Sequence, residues 1–332
     1  SSLYNHNLIK QIIWYGIGIF IFIVSKCINT KNIFKYSFIL YIISIVLLIY
    51  VLVFGKIING AKAWITIKGL SFQPSELTKL SLAIMLSDLA GKFKSTGIKS
   101  EFIFLLKVAI LILIPSVLVF LEPDSGAIIF FLVITLAILI FSDIHKFWFT
   151  IVFILIALFI GGFILLYLYN KDLLINLIGT SFFYRVERLI TFKTMSSYQL
   201  ENALVAMGSS SLLGTGLGKV SLYIPEAPTD FIFAFSISNF GYLCGFIILS
   251  CYFLMDLFLI NKIINMKKNT LKYILISFTS IFLFGQIINI GMNLGLLPII
   301  GIPLPFLSYG GSTLIIYFIF LSIIFNSFEK SY

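Results

Sequence analysis

The chain is a succession of long apolar runs separated by short polar breaks, a pattern that predicts an all-α, polytopic transmembrane helical bundle. Nine runs, near residues 8–26, 33–55, 75–91, 101–121, 126–142, 146–168, 232–260, 272–296 and 309–327, are each bounded by charge, glycine or proline. About 20 mostly apolar residues suffice to cross a bilayer as a helix. A membrane β-barrel would instead show segments of about ten residues with alternating polarity, and these runs are continuous. The one long interruption, about 169–231, is too large for a simple connector, and loops of that length are usually functional. Residues 1–332 are therefore read as a single integral-membrane domain with one large excursion.

Composition narrows the class. AVILMFWYC make up 60% of the residues and charged ones only 11%, against about 25% charged in ordinary globular chains. A soluble fold of this length could not cover its surface with so few polar groups. The 36 Phe, 16 Tyr and 3 Trp exclude disorder, which is poor in aromatic residues. The net charge of +10 does not point to nucleic acid, because the lysines sit in short clusters between apolar runs, as on an anionic inner leaflet. With residue 1 outside, the inner connections hold thirteen Lys or Arg and the short outer ones five; five more lie in the long loop, at the limit of the positive-inside rule. That orientation puts the 169–231 loop outside. Cys27, Cys244 and Cys251 are read as small hydrophobes, the last two being about 10 Å apart along one helix and too far to bridge.

A charge at mid-bilayer costs from about 3 to more than 10 kcal/mol, so polar or irregular stretches beside the runs mark where chemistry can sit. Four lie on the outer side. In Phe72-Gln73-Pro74-Ser75-Glu76-Leu77-Thr78-Lys79, Pro74 suits a first helical turn, and Glu76 and Lys79 share a face at i, i+3, either as a self-neutralising pair or as part of a site. Glu122-Pro123-Asp124-Ser125-Gly126 is a tight turn in which Asp124 is by default a helix cap. The long loop holds Tyr184-Arg185-Val186-Glu187-Arg188, Tyr198-Gln199 and a small-residue run with Gly214, Gly216 and Gly218. That glycine series invites a phosphate-loop reading but lacks the preceding strand such a loop needs. Finally, 297–312 carries three prolines and cannot be a regular helix; it is either a re-entrant loop lining a cavity or a surface loop.

Five strings carry a resemblance: Gly60-Ala61-Lys62-Ala63-Trp64-Ile65, the 72–79 string, Pro123-Asp124-Ser125-Gly126, Pro225-Glu226-Ala227-Pro228-Thr229-Asp230-Phe231-Ile232-Phe233-Ala234, and Gly301-Ile302-Pro303-Leu304-Pro305-Phe306-Leu307-Ser308-Tyr309-Gly310-Gly311-Ser312. In order and spacing they resemble the SEDS family (RodA, FtsW, SpoVE), and the last string looks most like the RodA type. The resemblance implies a ten-span bundle matched here from its second span onward, in the bacterial cytoplasmic membrane with its active face outside. It implies a peptidoglycan glycosyltransferase that polymerises undecaprenyl-linked lipid II during elongation and shape maintenance. Its partners would be a class B penicillin-binding protein and other elongation or division proteins.

By the same resemblance Asp230 is the catalytic residue, and Trp64, Glu76, Lys79, Arg185, Arg188, Gln199 and Ser308 bind substrate. A carboxylate suits the first role because the acceptor hydroxyl must lose a proton as it attacks the anomeric carbon. Cations suit the others, since the leaving group is a pyrophosphate; Lys62 or Lys68 would assist, and a divalent ion, Mg or Mn, would share the work, although no ligand cluster is visible. The chain departs from the family pattern at Ala63, usually Arg; Pro228, usually His; Ser238-Asn239, usually a Glu pair; and Ser209-Ser210-Ser211, usually Ser-Gly-Gly. Two other readings stay open: a flippase or transporter of the lipid-linked precursor, which intramembrane charge and Pro-broken segments also suit, and a catalytically weakened scaffold for the penicillin-binding protein.

Overall fold

Every apolar run folds as a helix. The structure, a computed structural model, describes residues 2–25, 30–58, 61–67, 70–180, 183, 187, 198–216 and 222–329. In chain order the helices are α1 (Ser2–Ser25), α2 (Thr30–Lys35), α3 (Ser37–Phe54), α4 (Pro74–Lys92), α5 (Ile98–Leu121), α6 (Ser125–Phe141), α7 (Lys146–Tyr169), α8 (Lys171–Ile178), α9 (Tyr198–Gly208), α10 (Ile232–Asn265), α11 (Thr270–Asn293) and α12 (Gly311–Glu329). Among the described residues six of these, α1, α3, α5, α7, α10 and α11, are long and apolar enough to cross a membrane, and α6 and α12 are shorter apolar helices.

Helix α4 is not among them, for a physical reason. It sits at the centre of the bundle against α3, α6 and α11, so its buried surface meets protein rather than lipid. Ser75, Thr78, Ser81 and Ser87 are all buried there, and small hydroxylated residues let helices approach closely. Thr78 Oγ1 donates to the Pro74 carbonyl at 3.0 Å, and Ser81 Oγ lies 2.7 Å from Ser44 Oγ on α3. Helix α7 is the opposite case: none of its described residues is buried.

Between α3 and α4 lies an antiparallel meander that the all-helical expectation omitted: β1 (Lys56–Ile58), β2 (Ala61–Ile67) and β3 (Leu70–Phe72). Trp64 faces Lys56 across the first pair and Ile65 faces Phe72 across the second. Three short strands give too few alternating positions to announce themselves in the chain.

The irregular 297–310 segment is pinned by side chains from helices that surround it. Gln11 Nε2 donates to the Ser308 carbonyl at 3.2 Å, Tyr252 OH to the Pro305 carbonyl at 2.5 Å and Asn289 Nδ2 to the Ile302 carbonyl at 2.8 Å, while Tyr15 OH donates to the Phe306 carbonyl. Non-helical backbone survives in a membrane protein when such partners satisfy it, which agrees with the re-entrant rather than the surface-loop reading.

Of the glycine series, Gly214 and Gly216 belong to another irregularity, and Gly218 lies outside the described residues. Helix α10 breaks at Gly241 (φ 86°, ψ 174°), and the 209–216 hairpin takes up the freed backbone groups. Thr215 N donates to the Ser238 carbonyl at 3.2 Å and Gly216 N to the Asn239 carbonyl at 3.0 Å, while Tyr242 N and Leu243 N donate to the Ser211 and Leu212 carbonyls at 3.3 and 3.2 Å. A Cβ on Gly214 would collide with the backbone of Asn239, and one on Gly241 with the backbone of Leu212. These glycines permit backbone-to-backbone docking and do not form a phosphate loop.

Candidate active site

A cavity of about 360 Å³ opens where the five strings meet. Its walls include Ala63 and Trp64 from β2, Gln73, Glu76 and Lys79 from the start of α4, and the turn at 123–127. Glu226, Thr229 and Asp230 come from the turn before α10, and Gly301, Ile302, Tyr309 and Thr313 from the 297–313 region. Stretches more than 200 residues apart in the chain thus share one enclosure.

The Glu76–Lys79 pair is buried, at 6% and 4% exposure. Lys79 Nζ donates to Glu76 Oε1 at 2.6 Å and sits 4.3 Å from the centre of the Phe130 ring. One turn of α4 aligns the two, and Pro74 at the helix start fixes that turn. Asp124 caps α6 by accepting from Ala127 N at 3.2 Å, and it also accepts from Gln73 Nε2 at 2.8 Å and Ser75 Oγ at 3.0 Å. Its role is to join the starts of α4 and α6. Beside it Glu122 is fully buried, with neither carboxylate oxygen partnered among the described residues. Burial, reinforced by Asp124, pushes its carboxyl up to about 8, so it is a neutral acid at pH 7.

Asp230 is held by its backbone, which leaves the carboxylate for the cavity. Its N–H donates to the Glu226 carbonyl at 3.1 Å, and its carbonyl accepts from Asn289 Nδ2 and Asn293 Nδ2, both at 2.9 Å. Burial, then repulsion from Glu226, raises its carboxyl to about 6. The same two asparagines bind the Ile302 carbonyl and accept from Ala234 N at 3.0 Å, so they tie the Asp230 turn, the start of α10 and the 297–310 segment together. Neither lies in the polar stretches that the sequence singles out. The available signal was two Asn four residues apart in an apolar run, which lie on one helical face and need partners in a bundle. Asn293→Ala leaves the Ala234 N–H without its acceptor and the Asp230 carbonyl with one donor. Such losses cost about 1–3 kcal/mol, so a lowered unfolding temperature in detergent is the expected outcome.

The other expected residues divide. Trp64, Glu76, Lys79 and Asp230 all line the cavity. Ser308 is buried behind it, accepting from Leu304 N at 2.7 Å and donating to the Thr229 carbonyl at 2.5 Å; its hydroxyl holds the Asp230 turn rather than facing the cavity. Gln199 lies near the start of α9 and is not part of the wall. Arg185, Arg188 and Lys68 lie outside the described residues. Lys62 Nζ donates to the Val53 carbonyl at 2.9 Å, while Ala63, where the family pattern has Arg, is buried in the wall. Among the described lining residues Lys79 is the only cation, sharing the cavity wall with the carboxylates of Glu76, Asp124, Glu226 and Asp230. Among the described residues no group of three or more His, Cys, Asp or Glu is placed to hold a metal ion.

The chain is similar to known proteins over nearly its whole length. The profile of the FtsW/RodA/SpoVE family, described as "Cell cycle protein", matches residues 1–331. The protein named probable peptidoglycan glycosyltransferase FtsW in Buchnera aphidicola subsp. Baizongia pistaciae is 36% identical, covering 92% of this chain and 80% of the relative. Its namesake in Wigglesworthia glossinidia brevipalpis is 33% identical, over 96% of this chain and 82% of the relative. These FtsW names leave the RodA-type reading of the 301–312 string unsupported. In fold, the chain superposes on a member of a peptidoglycan synthase complex described as coordinating polymerization and crosslinking (TM-score 0.78, 24% identity, all of this chain and 92% of that one). It also superposes on the rod shape determining protein RodA of Thermus thermophilus (TM-score 0.68, 24% identity, 98% of this chain and 88% of that one). On the match of residues 1–331, this chain belongs to the FtsW/RodA/SpoVE, or SEDS, family of cell cycle proteins.

Proposed function

We propose that this protein is a peptidoglycan glycosyltransferase that polymerises lipid II on the outer face of the bacterial cytoplasmic membrane, and that it serves division rather than elongation. The observation that carries the chemistry is the convergence of Trp64, Glu76, Lys79 and Asp230 on one cavity. The division assignment is supported by the FtsW names of relatives at 33–36% identity. On this reading residues 1–332 act as one integral-membrane domain, with the 169–231 loop carrying the catalytic Asp230 and a class B penicillin-binding protein crosslinking the product.

The proposed reaction balances simply. Asp230 takes the proton of the acceptor sugar hydroxyl as that oxygen bonds to the anomeric carbon of the donor. The bond from that carbon to the pyrophosphate oxygen breaks, and undecaprenyl pyrophosphate leaves with the electron pair. A carboxyl raised to about 6 is a stronger base than an exposed one and is still ionised at neutral pH. Pyrophosphate is a good leaving group, so a second carboxylic acid, as used in glycoside hydrolysis, is not required. Lys79 meets its developing charge, and Trp64 stacks on sugar or lipid.

The test is the purified protein in nanodiscs with lipid II, alone and with its transpeptidase partner, with products separated by length. Glycan polymer is the expected outcome. Headgroup translocation without polymer would establish a flippase instead, and neither activity in the presence of partner binding would leave a scaffold.

A further inference from the structure

The hairpin that plugs the break in α10 carries an apolar tip that the proposed chemistry does not use. Leu212 and Leu213 are 74% and 75% exposed, and no charged residue occurs from Ala206 to Gly216. The break also divides α10 by environment. From Phe233 to Asn239 every residue is buried except the half-buried Phe235, whereas beyond Gly241 the side chains of Tyr242, Leu243, Phe246 and Ile247 are exposed.

That second stretch runs about 20 residues, or about 30 Å of helix, from Gly241 to the polar Asn261-Lys262, which is the thickness of a bilayer's hydrocarbon core. Asp256 interrupts it and is held by Gln286 Nε2 at 3.1 Å. The break therefore falls where the lipid-facing part of α10 begins. The hairpin bonds directly to that point through Tyr242 N and Leu243 N, which makes Leu212 and Leu213 continuous with the exposed apolar belt of the helix.

We propose that the 209–216 hairpin is a membrane-inserted tip, with Leu212 and Leu213 seated among the acyl chains of the leaflet on the cavity side. The occupant is bulk lipid. The tip is uncharged and joins a lipid-facing helix at the hydrocarbon boundary, and water is a poor environment for two neighbouring exposed leucines. Insertion fixes the height of α10's first half, and with it the Asp230 turn, relative to the membrane.

The test uses the full chain carrying Leu213→Trp, in nanodiscs of phosphatidylethanolamine and phosphatidylglycerol, with the parent's three tryptophans as background. Lipids brominated near the ester end of the acyl chains are expected to remove about half of the added emission, with weaker quenching from bromines near the methyl end and little from aqueous acrylamide. Leu212→Trp gives an independent reading if the first variant does not fold. Quenching by acrylamide but not by bromolipid would overturn the proposal in favour of a solvated tip. Protection from both would overturn it in favour of a protein occupant, either a second copy or a partner.

Discussion

Asp230→Asn yields a folded protein whose lipid II polymerisation falls by about 10²–10⁴-fold, the usual worth of a positioned general base. The fold survives because the turn is held through the Asp230 backbone: its N–H and carbonyl make the bonds to Glu226, Asn289 and Asn293. With Asp230 as the proposed base, the parent's rate is expected to follow the ionised carboxylate, rising about tenfold per pH unit up to about pH 6 and levelling above it. The linkage has the matching sign. The folded state holds this proton more tightly than the unfolded chain, so the group's contribution to stability declines as pH climbs from the ordinary carboxylate range to about 6 and is constant beyond. A variant that polymerises as fast as the parent, or a pH profile flat through 6, would remove Asp230 from the role of base.

The second large effect is on stability. Lys79→Met strands the Glu76 carboxylate at a site where both partners are almost fully buried, and breaking a buried pair from one side costs about 3–5 kcal/mol. The double variant Glu76→Gln with Lys79→Met is expected to recover most of that loss, because the penalty comes from the orphaned charge and not from a missing attraction. Thermal unfolding in detergent measures both. A single-variant cost below about 1 kcal/mol, the range of exposed pairs, would mean that water reaches the site. Both variants are expected to lose polymerisation, since neither retains the cation that the proposed reaction sets against the leaving group.

Where the outcome differs between neighbouring residues, local sequence explains some cases and packing the others. Glu76 and Lys79 were readable as a pair because three residues of helix bring them together whatever surrounds the helix. Asp124 was readable as a cap for the same local reason, and it is one. Ser308 and Asp230 sit in strings of similar appearance, yet one hydroxyl is consumed inside the backbone of the turn while the other side chain lines the cavity. Only the path of the surrounding chain distinguishes them. The glycines at 214 and 241 lie 27 positions apart, and their shared purpose exists only once the hairpin lies against the broken helix.

The sequence by itself determined that this is a membrane bundle, roughly where its helices run, and which family strings it carries, because apolar run length and charge placement act locally against a uniform solvent, the lipid. Tertiary structure decided the rest: that α4 is a central helix with hydroxylated packing faces, that Asn289 and Asn293 hold the Asp230 turn, and that one cation and four carboxylates share the wall among the described cavity residues. The physical reason is the same in each case. A polar group inside a bilayer must find its partner within the protein, and that partner is set by which helices touch, a relation that residue order along the chain does not encode.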